Sequence, residues 1–302
     1  MARNELAIID SHTHFFSYTW LDYFYQAARE RFGSIEEVAN HLRWEVPPAD
    51  PVELGRRWLA EQDRYQVAKQ VLFASKLNDA EFLAAAVREY PDRLLGYVMI
   101  DPTQESARNQ AMYAFNILDM SGVLLFPAMH HFRADDACAC TIYEEAVAAS
   151  APVFIHFGQL RIPIYEKLGL PENVDLSYSN PLDLGHVLGD FPEATFIIPH
   201  FGCGRFEEAL QLVDKFQNVY FDSSSSNSWI REPHSLRDVF MRAVEVAGPE
   251  RILFGTDSSF FPRGWRKDIF DQQLEIVRNI GLSLPDQRLI FGENIARILS
   301  LD

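Results

Sequence analysis

Several things are scarce in this chain, and each scarcity narrows what it can be. Cysteine occurs only at Cys138, Cys140 and Cys203 in 302 residues. Three thiols build no disulfide framework, so a reducing, cytoplasmic setting is expected. Cys138-Ala139-Cys140 has no partner pair to complete a metal clip and reads as small helix residues. Basic residues are outnumbered, 27 Lys and Arg against 43 Asp and Glu, giving a formal charge of −16. Phosphate binding needs a basic face, so the charge argues against nucleic acid and disfavours anionic membranes. It leaves room for a small anionic substrate, because a local cluster of cations can dominate a deep pocket. No apolar run approaches membrane-spanning length, and the four apolar residues before Asp10 are too few for a signal-peptide core. The only low-complexity tract is Ser223-Ser224-Ser225-Ser226.

What is present is a rhythm. Short apolar runs start near residues 6, 70, 94, 122, 152, 195, 218 and 251, with helical patterns between them. Apolar strands bounded by turns and separated by helices indicate a parallel sheet covered on both faces. Eight such units without an internal boundary predict a single-domain (β/α)8 TIM barrel over residues 1–302, with its active site at the C-terminal strand ends. Residues 15–50 interrupt the rhythm after strand one. They are rich in aromatics (Phe15, Phe16, Tyr18, Trp20, Tyr23, Phe24, Tyr25) and read as a helical insertion: packing, a lid, or a subunit contact. The stretch 159–180 after strand five is a second candidate pocket wall.

Four of the runs end in side chains that bind metals. The first leads into Asp10-Ser11-His12-Thr13-His14, the fifth ends at His156, the sixth at His200 and the eighth at Asp257. Side chains two apart on a strand point the same way, so His12 and His14 can reach one ion together. Any one of these residues has an ordinary reading as a satisfied core histidine or a turn-forming aspartate. Their joint placement at strand ends reads instead as a catalytic metal site, in which few protein ligands leave room to activate a water. The remaining histidines (His41, His130, His131, His186, His234) lie in loops or polar stretches, where solvated surface is expected.

These motifs resemble the amidohydrolase superfamily. The likeness is carried by Ile9-Asp10-Ser11-His12-Thr13-His14, Val153-Phe154-Ile155-His156, Ile197-Ile198-Pro199-His200-Phe201-Gly202 and Leu253-Phe254-Gly255-Thr256-Asp257. It is closest to the amidohydrolase-related branch, with aminocarboxymuconate semialdehyde decarboxylase-like enzymes and lactone hydrolases. The resemblance implies that His12, His14, His156 and Asp257 hold one divalent metal, with zinc the first expectation and manganese or another ion compatible. It implies His200 as general acid/base, with Asp257 as ligand, base or both. Strand four, Gly122-Val123-Leu124-Leu125-Phe126-Pro127, lacks the lysine that bridges two metals in other superfamily members, which favours one ion. Barrels of this branch are often homodimers.

Arg161, Arg205, Arg263 and Arg266 follow strands five, six and eight, and an arginine fork binds carboxylates in two-point fashion. The substrate-binding expectation is therefore a small carboxylate-bearing lactone, ester or related cyclic acid, with Arg263 the main anchor beside the Trp265 indole. Metal-dependent hydrolysis is the first expected reaction. The alternative is nonoxidative decarboxylation of an unsaturated or aromatic acid on the same site, and a non-catalytic metal-binding barrel is the third reading.

Overall fold

The computed structural model describes residues 6–76, 79–230 and 234–301. Eight strands form one parallel sheet in the order β1-β2-β3-β4-β5-β6-β7-β8. The strands are β1 (Ile8–His14), β2 (Val67–Ala74), β3 (Leu94–Met99), β4 (Gly122–Leu125), β5 (Val153–Ile155), β6 (Phe196–Ile198), β7 (Val219–Asp222) and β8 (Ile252–Leu253). After β8 the chain rejoins β1, with Ser11 N donating to Phe254 O, Asp257 N to His12 O and His14 N to Ser258 O. The sheet curls into the barrel that the eight apolar runs predict.

Strand side chains alternate between two cores. Val71 and Phe73 of β2, Leu95 and Tyr97 of β3, Leu124, Phe154, Ile197 and Leu253 fill the barrel interior. Leu72, Ala74, Val98, Val123, Leu125, Val153 and Ile155 face outward onto the helices. This period of two explains why the strands read as continuous apolar runs, since both faces are buried. The layer of Leu124 and Phe154 seals the interior and becomes the floor of the cavity above it.

The helices that follow the strands cover the barrel. Between β1 and β2 lie α1 (Tyr18–Ala27), α2 (Ile35–Leu42) and α3 (Pro51–Tyr65). Ser17, Ser34 and Asp50 cap them, each accepting a backbone N–H of the first turn, and Pro51 opens α3 where no N–H partner is needed. After β2 comes α4 (Ala80–Glu89), after β3 α5 (Ala107–Asn116), and after β4 the short α6 (Pro127–His130) and α7 (Ala137–Ala148). The short α8 (Pro163–Leu168) and α9 (Pro181–Leu184) follow β5, and α10 (Phe206–Lys215) follows β6.

The insertion builds a small core of its own. Trp20, Leu21 and Phe24 of α1 and Ile35, Val38 and Leu42 of α2 pack with Ile164 and Leu168 of α8. His41 Nε2 also lies 3.0 Å from the Lys167 carbonyl, and Arg31 donates to the Leu168 carbonyl. The two irregular stretches singled out in the sequence thus form one cap over one side of the barrel mouth.

Candidate metal centre

At the C-terminal strand ends, His12, His14 and Asp257 each offer one ligand atom within 4.8 Å of the others. His14 Nε2 lies 3.2 Å and His12 Nε2 3.7 Å from Asp257 Oδ1. The bond from Asp257 N to His12 O sets the carboxylate beside the His-x-His pair. Asp257 takes a left-handed backbone, φ 56, and so does His200, φ 55. Such geometry costs non-glycine residues about 1 kcal/mol or more and collects where a side chain must be aimed.

The far nitrogen of each histidine in this cluster is occupied. His12 Nδ1 sits 2.7 Å from Asp222 Oδ2 at the end of β7, and His14 Nδ1 2.7 Å from Ser75 Oγ just past β2. Ser224 Oγ closes the first contact, 2.7 Å from both His12 Nδ1 and Asp222 Oδ2. Partners of this kind fix ring orientation and turn Nε2 of both rings towards Asp257 Oδ1, where an ion could be shared among them. The paired Nδ1 atoms, the Nε2 atoms facing Asp257 and the carboxylate suit a divalent cation of the borderline type.

His156 stands outside that trio of ligand atoms but shares the same space. Its ring centroid is 5.1 Å from that of His200, and its Nδ1 is buried without a hydrogen-bond partner among the described residues. Burial and the surrounding histidines pull its pKa well below the usual value. His200 Nδ1 lies 2.5 Å from the Ser224 carbonyl, so that nitrogen carries the proton and Nε2 the lone pair. Burial lowers the His200 pKa, aided by His12. Burial pushes Asp257 up, but the His14 hydrogen bond and the charges of His12, His14 and His200 reverse this and hold its carboxyl far below the carboxylate range.

Asp10, the first residue of the motif, is structural. It accepts from His12 N, Thr256 N, Thr256 Oγ1 and Trp265 Nε1, tying β1 to the segment after β8. Trp265 therefore spends its indole on Asp10 in the core rather than on a substrate, a correction to the sequence expectation.

The cluster opens into a cavity of about 1110 Å³. Phe16, Trp20, Phe24 and Trp44 of the cap and Phe126, Phe154 and Phe260 of the barrel make its walls strongly aromatic. Of the four predicted arginines, Arg161 and Arg263 line it. Arg263 stacks 4.3 Å from the Phe260 ring centroid and donates to Ser259 Oγ at 2.5 Å, next to Asp257. Arg161 is bound to Glu166 at the rim. Arg205 pairs with Glu208 and Arg266 with Asp268, and neither lines the cavity, so these two lose their expected place at the substrate. His130, expected on the solvated surface, also lines the cavity, with its Nδ1 buried and without a hydrogen-bond partner among the described residues. Sequence reasoning assigned no role to Asp222, Ser224 or Ser75. The position of Asp222 at a strand end was the available signal.

The fold and the cluster together define a class, a parallel eight-stranded barrel with a His-His-Asp centre at its C-terminal mouth. The family described as Amidohydrolase matches residues 9–301, and the chain belongs to it. Its fold and family are those of an enzyme. Among curated proteins, Protein fluG of Emericella nidulans is 28% identical over 101 residues, 33% of this chain and 12% of that protein. The matched stretch thus spans about an eighth of that relative. Among solved structures, 5-carboxyvanillate decarboxylase from Sphingomonas paucimobilis superposes with a TM-score of 0.65 at 18% identity, covering 98% of this chain and 100% of that one. The 5-carboxyvanillate decarboxylase of Novosphingobium aromaticivorans, solved with manganese and 3-methoxy-4-hydroxy-5-nitrobenzoic acid, gives 0.68 at 14% identity, covering 100% and 99%. A probable 2-pyrone-4,6-dicarboxylic acid hydrolase from Acinetobacter baumannii gives 0.63 at 16%, covering 98% and 100%. At these identities the likeness shows the fold.

Proposed function

We propose that this chain is a metal-dependent, nonoxidative decarboxylase of a small aromatic carboxylic acid. The observation that carries this reading is the His-His-Asp cluster at the floor of an aromatic-walled cavity with Arg263 at its edge. Flat aromatic walls suit a planar ring better than a flexible ester. The decarboxylases among the similar folds support the same order, which moves decarboxylation ahead of the hydrolysis expected from the motifs.

His12, His14 and Asp257 would hold the ion, with His156 beside them. A bound divalent ion supplies positive charge that anchors substrate oxygens and steadies negative charge developing on the ring. Arg263 offers the carboxylate its guanidinium fork, and the aromatic walls exclude water from the ring face. As the carbon–carbon bond breaks, CO2 leaves and the ring carbon must gain one proton. His200 is the floor group able to deliver it, because Asp257 stays ionised beside the histidines. The Ser224 contact leaves the lone pair on His200 Nε2 and burial keeps the ring neutral near pH 7, so Nε2 would first take a proton from solvent and then deliver it to the ring carbon as CO2 departs.

Hydrolysis of a carboxylated lactone is the second reading, favoured by the same neutral Nε2, which suits taking a proton from water. The test is metal analysis followed by product analysis. Wild type is expected to hold one divalent ion, manganese or zinc, that His12→Ala and Asp257→Ala both lose. The loaded enzyme is then offered hydroxybenzoic acids and a pyrone carboxylate. Release of CO2 supports decarboxylation. A ring-opened acid formed without CO2 transfers the assignment to hydrolysis, and absence of metal after reconstitution removes both.

A further inference from the structure

The cap side of the cavity carries a polar group that the metal chemistry does not use. Asp79, just before α4, lines the cavity and is only 2% exposed. Its Oδ1 accepts hydrogen bonds from Ser17 Oγ and, at 2.6 Å, from Thr19 Oγ1, both at the start of α1. Its Oδ2 is buried and has no hydrogen-bond partner among the described residues. A carboxylate oxygen held in that state costs on the order of 1–3 kcal/mol, which a donor arriving with a ligand would relieve.

Lys76 stands beside it. The Asp79 N–H donates to the Lys76 carbonyl at 3.0 Å, the two side chains attract one another, and Lys76 lines the same cavity against the Tyr23 ring. Burial pushes the Asp79 carboxyl up to about 6 and pulls the Lys76 ammonium down to about 8, so both charges are poorly solvated. One residue before Lys76, Ser75 holds the metal ligand His14. The segment leaving β2 thus serves both the cluster and this second polar spot.

We propose that Asp79 and Lys76 form a subsite that reads a hydroxyl substituent on the substrate's ring. A hydroxyl meets both groups at once, donating to Asp79 Oδ2 and accepting from Lys76 Nζ. A second carboxylate in that place would face Asp79, and an ammonium would face Lys76, so both are disfavoured. Ser17 and Thr19, from the insertion, lock the acceptor in position. The insertion is thereby a specificity wall of the pocket and not only packing. The inference rests on the aromatic-acid reading, since it concerns the far side of the same substrate.

The test is calorimetric titration of the metal-loaded protein with benzoate, the three monohydroxybenzoates and phenol. In wild type, at least one hydroxybenzoate is expected to bind tenfold or more tightly than benzoate. Asp79→Asn keeps an oxygen for Ser17 and Thr19 but presents N–H where Oδ2 was. That variant is expected to bring the favoured hydroxybenzoate to within about twofold of benzoate, with metal content and melting temperature confirming the fold. Lys76→Met is expected to lower the same ratio. Hydroxybenzoates no tighter than benzoate in wild type, or both weakened equally by Asp79→Asn, overturn the subsite. Phenol separates the two ideas: phenol bound and lost in Asp79→Asn while benzoate fails to bind keeps the subsite and removes the aromatic-acid reading. Failure of every probe removes both.

Discussion

The floor of the cavity and its rim are built from similar residue types, yet they are held in opposite ways. At the floor, each functional side chain is fixed by a partner distant in sequence: His12 by Asp222, 210 residues on, and His14 by Ser75, 61 residues on. At the rim and on the surface beyond it, Arg161 pairs with Glu166, Arg205 with Glu208 and Arg266 with Asp268, each within five residues. Contacts between strands survive only if the barrel closes, so they place atoms to within fractions of an ångström. Local surface pairs form in many conformations and contribute about 0–1 kcal/mol. Precision at the floor and tolerance at the rim follow from that difference. Arg263 crosses this division: its partners Ser259 and Phe260 are four and three residues away, yet they hold it next to Asp257 in the cavity.

Removing a ligand should show the contrast most strongly. His12→Ala or Asp257→Ala should abolish bound metal and lower turnover by about a thousandfold or more, measured by elemental analysis and initial rates. Asp222→Asn keeps the ligand and loosens its support. It should weaken metal affinity about 10–100-fold, read by competition with a chelator; unchanged affinity would mean that the His12 contact is only packing.

The arginines give a smaller and sharper comparison. Arg263→Ala should raise KM about tenfold or more, the usual range for losing a charge-assisted pair, while Arg205→Ala and Arg161→Ala stay within about twofold. Equal effects at all three would erase the distinction between floor and rim.

The smallest effect is in the pH dependence of stability. The folded-state pKa of Asp79, about 6, lies above its ordinary 3.8. The folded protein therefore keeps a proton that the unfolded chain releases. The resulting stabilisation is complete below the unfolded value and is lost as pH rises through 6. The melting temperature of metal-free wild type relative to Asp79→Asn should accordingly fall by a few degrees between about pH 4 and pH 7. A flat difference would mean that Asp79 stays ionised throughout.

Much of this was legible from residue order. Strand positions were readable because both sheet faces are buried and the apolar runs are unbroken. His12, His14, His156, His200 and Asp257 were readable because strand ends in a parallel barrel share one face. Trp265 and Arg266 were misplaced because proximity in sequence to Asp257 does not say which way a loop turns. Trp265 turns inward to Asp10, and Arg266 turns out to Asp268. His130 was misjudged for a related reason, as a polar flank gives no hint that α6 lies against the cavity.

By itself the sequence determined the barrel, the candidate ligand types and the family, since these depend on periodicity and on chemistry carried by single residues. Tertiary structure decided which nitrogen of His12 and His14 faces Asp257, which arginines reach the cavity, and that Asp79 lies buried with an oxygen unpaired among the described residues. Those outcomes depend on groups from 60 to 255 residues apart meeting within about 3 Å, as Asp10 and Trp265 do at 2.7 Å across 255 residues. No local pattern encodes such a meeting; closure of the sheet produces it.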